Sequence, residues 1–245
     1  MARNVALEKL LKDLRVEVGR STNAAISRST RTRYITYLNR VQRRLYADFN
    51  WPFLEIHRDI KLQDGSRYYD FPDDIEMDRA FRLETKYAGY WQKLGYEIGA
   101  KHYNQYDSDQ GVKSSPAWRW DYFLEDGSEQ PQIELWPIPS ADGNETTNEG
   151  YLRVHGHHKL TEMVEDADKC LIDADLIVLY AAAEILTKLR SPDAEVKLEN
   201  ANALYMKLKG RATPSKPFTV GGDTFNEDRG RREIELRVAQ AGQEE

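Results

Sequence analysis

Residues 34–62 read YITYLNRVQRRLYADFNWPFLEIHRDIKL, and the hydrophobic period changes inside them. Tyr34, Leu38, Val41, Leu45 and Phe49 recur at helical spacing. Trp51-Pro52 then closes the helix, because a proline ring disfavours helical geometry in the residue before it. From Ile56 to Leu62 the spacing becomes that of a strand, whose successive side chains point to opposite faces. A chain that passes from period 3.6 to period 2 at one proline reads as helices followed by sheet, so the expected fold class is α+β.

Upstream of this stretch, Leu7, Leu10, Leu11, Leu14 and Val18 form an apolar helical stripe before Gly19 offers a stop. Residues 1–52 are therefore expected to form an N-terminal helical hairpin. Downstream, Phe81, Leu83, Thr85 and Tyr87 alternate with Arg82, Glu84 and Lys86. The same alternation runs through Trp118, Trp120, Tyr122 and Leu124, through Ile133 and Leu135, and around Leu152 and Val154. Asp64-Gly65 and Asp126-Gly127 supply hairpin turns, and a short helix fits near Glu97 to Tyr106. Residues 53–160 read as an antiparallel β insertion.

Helical signals return at Asp173, an N-cap, followed by Leu176 to Leu189 with apolar residues on nearly every face and the cluster Ala181-Ala182-Ala183. A helix apolar all round has to be central. Ser191-Pro192 opens a further helix with Ala194, Leu198, Ala201, Tyr205 and Leu208 on one face up to Gly210. Residues 161–212 are read as a second hairpin packing on 1–52. Residues 213–245 lack periodicity, contain Gly221-Gly222, and read as an extended tail. The expected architecture is a helical bundle of two N-terminal and two later helices, interrupted by the β unit and followed by that tail.

The chain has 245 residues, 40% of them apolar and 31% charged, which suits a globular protein with a real core. No apolar run approaches the ~20 residues that span a bilayer, and the N-terminal segment carries charges where a signal peptide would be apolar. Neither membrane insertion nor secretion is expected. One cysteine, Cys170, excludes an internal disulfide and a multi-thiolate zinc site. Charge is segregated: residues 1–50 hold 11 Lys and Arg against 4 Asp and Glu, and the remainder holds 24 against 37. Two surfaces facing two neighbours, or a basic helix folded onto an acidic body, would both produce this pattern.

The common phosphate-loop, dinucleotide, zinc-protease, calcium-loop and serine-hydrolase motifs are absent. His155 and His157 share one strand face, where two imidazoles suit a divalent metal, but an exposed polar face is the preferred reading and no metal is expected. Glu125 with Asp126, or Glu134 beside Trp136, are the carboxylates that a glycan-directed enzyme would use. Trp118, Trp120 and Tyr122 share a face, which favours an aromatic core over a sugar platform. No catalytic role and no cofactor are expected. The least random feature is Gly19 to Ala47, with Arg20, Arg28, Arg31, Arg33, Arg40, Arg43 and Arg44 and no acidic residue. Arg33, Arg40 and Arg44 flank the apolar stripe, and in an acidic protein their expected partner is a protein surface ahead of DNA.

The order of segments resembles the head-to-tail adaptor (connector) proteins of tailed bacteriophages, including the tail tubular protein A type. The resemblance rests on ADFNWPFLE (Ala47 to Glu55), YYDFPDDI (Tyr68 to Ile75), ELWPIPSADG (Glu134 to Gly143) and LIDADLIVLYAAAEIL (Leu171 to Leu186). It implies a structural virion protein at the head-to-tail junction, made in the host bacterial cytoplasm. Such proteins assemble as a ring, usually of twelve copies, below the portal protein, and double-stranded DNA passes through without sequence-specific binding. The resemblance further implies that the tail 213–245 docks on the portal; Phe218, Phe225, Arg231 and Arg232 are the anchors expected in this chain. Arg28, Arg31, Arg33, Arg40, Arg43 and Arg44 would contact a neighbouring subunit or the portal, and a tail protein (nozzle or tail-tube end) would dock on the β unit. The competing readings are a peptidoglycan-directed hydrolase or glycan-binding module of a phage tail, and a nucleic-acid-binding protein using the arginine-rich helix.

Overall fold

The computed structural model describes residues 3–21, 28–106, 111–124 and 131–213, residues 28 and 29 by their backbone alone. Its helices are α1 (Leu7–Glu17), α2 (Arg28–Asp48), the four-residue α3 (Ala100–Tyr103), α4 (Ala174–Lys188) and α5 (Asp193–Ala212). Residues Met1–Ala212 make one compact unit, which is described by itself.

The helical core follows from the apolar spacing. Leu7, Leu10, Leu11 and Leu14 of α1 and Leu38, Val41 and Leu45 of α2 are essentially inaccessible and meet Leu176, Ile177, Ala181 and Ala182 of α4. Each such leucine removed from water contributes about 1.5–3 kcal/mol. α4 packs on α1, α2 and α5 alike, which is why its sequence is apolar all round. The Asp173 carboxylate accepts the Leu176 N–H at 3.2 Å and caps its first turn. In α5, Ala201 and Leu208 are buried, Ala194 and Tyr205 are half-buried, and Leu198 is exposed. Gly210 lies within α5, which continues to Ala212.

The β unit is a pair of facing sheets. The first has strands in the order β1 (Glu55–Lys61), β9 (Tyr151–His158), β4 (Arg82–Tyr87) and β5 (Tyr90–Lys93), with β3 (Ile75–Glu76) also pairing with β9. The second has the order β2 (Tyr68–Asp70), β8 (Gln132–Trp136), β7 (Arg119–Phe123) and β6 (Gly95–Tyr96). Leu83, Leu152 and Val154 from one sheet and Tyr69, Trp120, Ile133 and Leu135 from the other fill the space between.

Three local features differ from the sequence reading. Asp64-Gly65 does not join paired strands: β1 pairs with β9 and β2 with β8, so this turn carries the chain from one sheet to the other. Asp126-Gly127 lies outside the described residues. The hairpin that does form links Tyr87 to Tyr90 through Ala88-Gly89, both with positive φ (51° and 83°), as a tight two-residue hairpin turn requires. Finally, Gly95-Tyr96 runs parallel to Arg119-Trp120, so the second sheet is mixed; the connection between them, containing α3, supplies the length a parallel crossover needs.

Trp51 belongs to the helical core. It is buried beside Phe49, Phe53 and Tyr205, and its indole N–H donates to the Leu45 carbonyl at 2.9 Å. The Tyr46 hydroxyl donates to the His158 carbonyl at 3.0 Å, and the Arg79 guanidinium lies 4.3 Å from the Tyr46 ring centre. Helix α2 is thereby tied to both β9 and the turn before β4.

Candidate assembly surfaces

The arginines of α2 mostly meet acids of their own chain. Arg31 pairs with Asp166 at 2.6 Å, Arg43 with Glu162 at 3.6 Å, and Arg40 and Arg44 share Glu184. Arg40 and Arg44 also lie over the rings of Tyr37 and Tyr180, each at 4.8 Å. Such half-exposed pairs contribute about 0–1 kcal/mol apiece, so they can be exchanged for partners on another chain at little cost. Arg33 is exposed and makes no ion pair among the described residues. Arg28 starts α2, and its side chain lies outside the description. Phe218, Phe225, Arg231 and Arg232 also lie outside the described residues.

The carboxylate considered for glycan chemistry is a structural ion. Glu134 is buried, accepting from Arg67 Nε at 2.9 Å and from the Tyr103 hydroxyl at 2.9 Å. Burial, together with the bond to Glu134, raises the Tyr103 phenol above its ordinary pKa. The Arg67 guanidinium sits about 5 Å from the rings of Tyr68, Tyr103 and Trp136, so both charges are enclosed by aromatic walls. Trp120 is in the sandwich core, while Trp118 is half-buried with its ring edge-on to His102 at 5.2 Å. Glu125 and Asp126 lie outside the described residues.

The histidine face is less exposed than its alternation suggests. β9 is flanked by β1 on one side and by β4 and β3 on the other, and Phe81 lies 6.2 Å from the His155 ring and 5.8 Å from that of His157. His157 is buried, and its Nε2 has no hydrogen-bond partner. His155 Nε2 is 3.0 Å from Glu84 Oε2; burial holds its pKa below the ordinary value, and the Glu84 hydrogen bond opposes that shift. No group of three or more His, Cys, Asp or Glu among the described residues is placed to hold a metal ion. Cys170 is fully buried, and burial raises its thiol pKa. No helix among the described residues is long and apolar enough to cross a membrane.

The molecule thus offers a helical core with a basic outer face and a two-sheet unit in which Glu134 and Arg67, Glu84 and His155, and Asp59 and Arg153 are paired. The family model described as SU10 adaptor protein matches residues 9–221, covering both the helices and the β unit. The chain belongs to the SU10 adaptor protein family. It is a bacteriophage adaptor, the class to which the order of its segments pointed. No curated protein matches. Among solved structures, a chain of the "Neck of empty GTA particle computed with C6 symmetry" is 14% identical, with 91% of this chain and 99% of that chain covered and a TM-score of 0.30. That TM-score is too low to carry any argument about function.

Proposed function

We propose that this chain is the structural head-to-tail adaptor of a tailed phage, a subunit of a ring that joins the portal to the tail and surrounds part of the DNA channel. Membership of the SU10 adaptor family over residues 9–221 carries this reading. Twelve copies, a portal above, a tail nozzle or tube end below, and synthesis in the host cytoplasm complete it, as does assignment to the tail tubular protein A type. Its work is mechanical, with no catalytic step. The enclosed Arg67–Glu134 pair supports that view over a peptidoglycan hydrolase, because the carboxylate is already held by two donors. The intrachain pairing of Arg31, Arg40, Arg43 and Arg44 supports it over a nucleic-acid-binding protein, because those charges are partly neutralised before DNA arrives.

The acidic balance of residues 51–245 suits a net-negative lumen, which repels the duplex toward the axis and lets it slide. Residues 213–245 would dock on the portal through Phe218, Phe225, Arg231 and Arg232. Mixing the purified chain with the portal of the same phage tests the reading: closed rings seated on the portal are expected. A chain that remains monomeric with portal present contradicts it.

A further inference from the structure

Arg20 and Arg33 make no ion pair with a described acid, and nearby Lys188, at the end of α4, lies 4.9 Å from the Tyr37 ring. These three cations surround one cleft of about 430 Å³, walled by Tyr34, Tyr37 and Leu189. No carboxylate is among its described lining residues. A positive, partly apolar concavity of this size takes a convex element that presents carboxylates with apolar side chains on either side. A whole DNA duplex does not fit such a volume, so DNA would meet the cleft only through backbone phosphates.

The first two turns of α5 have that chemistry. Val196 and Leu198 are 56% and 44% exposed, although both are apolar. At helical spacing Glu195 and Glu199 fall between Val196 and Leu198 on the helix surface, and they make no ion pair among the described residues. Lys197 points instead to Glu17 at 2.5 Å, while Arg190 shares a shallow depression with Glu195 and offsets part of the negative charge. α4 packs on both α2 and α5; the cleft lies where α2 meets the end of α4, and the acidic turn follows at the start of α5.

We infer that the Arg20–Arg33–Lys188 cleft of one copy receives the Glu195–Glu199 turn of the next copy. The two surfaces differ, so the contact is head-to-tail around the assembly and closes only by rotation into a ring. This interface rests on the ring reading above and names where its subunits meet.

The test uses the full chain assembled with portal and then oxidised. Cys170 is buried and stays out of the reaction. Thr30→Cys with Glu199→Cys in one chain should give a ladder of covalent oligomers, each single variant none, and a mixture of the two single variants nothing larger than dimers. Arg33→Glu and Glu199→Arg should each abolish rings, and a chain carrying both reversals should recover them. Rings that survive both reversals, with no ladder, overturn this interface and leave the ring reading standing. No ring from the wild-type chain removes that reading and the interface with it. Loss of duplex binding with assembly intact in Arg33→Glu assigns the cleft to DNA and overturns the inference.

Discussion

Replacing Arg67 with methionine removes the cation that holds Glu134 and leaves the aromatic wall largely filled. Glu134 is 5% exposed, and Arg67 supplies one of its two described side-chain partners, the other being Tyr103. A carboxylate stranded in such a site costs about 3–5 kcal/mol, because its desolvation is no longer offset. For a chain of this size that loss corresponds to a Tm decrease of roughly 10 °C. Adding Glu134→Gln removes the stranded charge while its amide oxygen still accepts from Tyr103, so the double variant should lie within about 1.5 kcal/mol of the wild type. Urea unfolding followed by tryptophan fluorescence reads the effect, with Trp136 beside the pair as a reporter. The two single variants and the double close a mutant cycle whose coupling should exceed about 1.5 kcal/mol. A cost below about 1 kcal/mol for Arg67→Met, or a double variant no more stable than that single one, would refute the buried-ion reasoning.

Ala182 is inaccessible at the centre of α4, so Ala182→Leu should lose about 1–3 kcal/mol in the same assay by forcing apart helices that now touch. His155, held below its ordinary pKa by burial, binds fewer protons folded than unfolded; its contribution is fully present above about pH 6.5 and is lost as pH falls through the folded value. The Tm decrease between about pH 7.5 and about pH 5 should accordingly be smaller in His155→Gln than in the wild type, and an equal decrease contradicts this. The depressed Asp59, held by its hydrogen bond from Arg153, acts in a lower window, below about pH 4, and does not confuse the comparison. Deleting residues 214–245 should leave the Tm of the remaining chain nearly unchanged but weaken portal binding by at least tenfold; full affinity would exclude portal docking by that segment.

The helical half was legible because its decisive signals are local. Leu7 to Leu14 fix the buried face of α1, Asp173 caps α4, and the unbroken apolarity of Leu176 to Leu186 can only belong to a helix packed on several sides. The sheets were legible as strands but not as an order, because pairing β1 with β9 joins residues about a hundred positions apart and leaves no local mark. Ala88-Gly89 carries no hairpin signature because alanine seldom accepts the positive φ the turn imposes, whereas Asp64-Gly65 has a hairpin sequence and serves as a passage between sheets. His157 alternates like an exposed residue, yet β3 and Phe81 cover it. The arginine run announced a basic face, but spacing alone could not show that Glu184 engages two of its members while Arg33 stays unpaired by described acids.

The most direct test of the account is electron microscopy of virion necks in which this chain carries a small label at an exposed position of the β unit. The account predicts one closed ring of labelled subunits between portal and tail, with the label on the tail side. Label absent from the neck, or subunits present there without a closed ring, would contradict it.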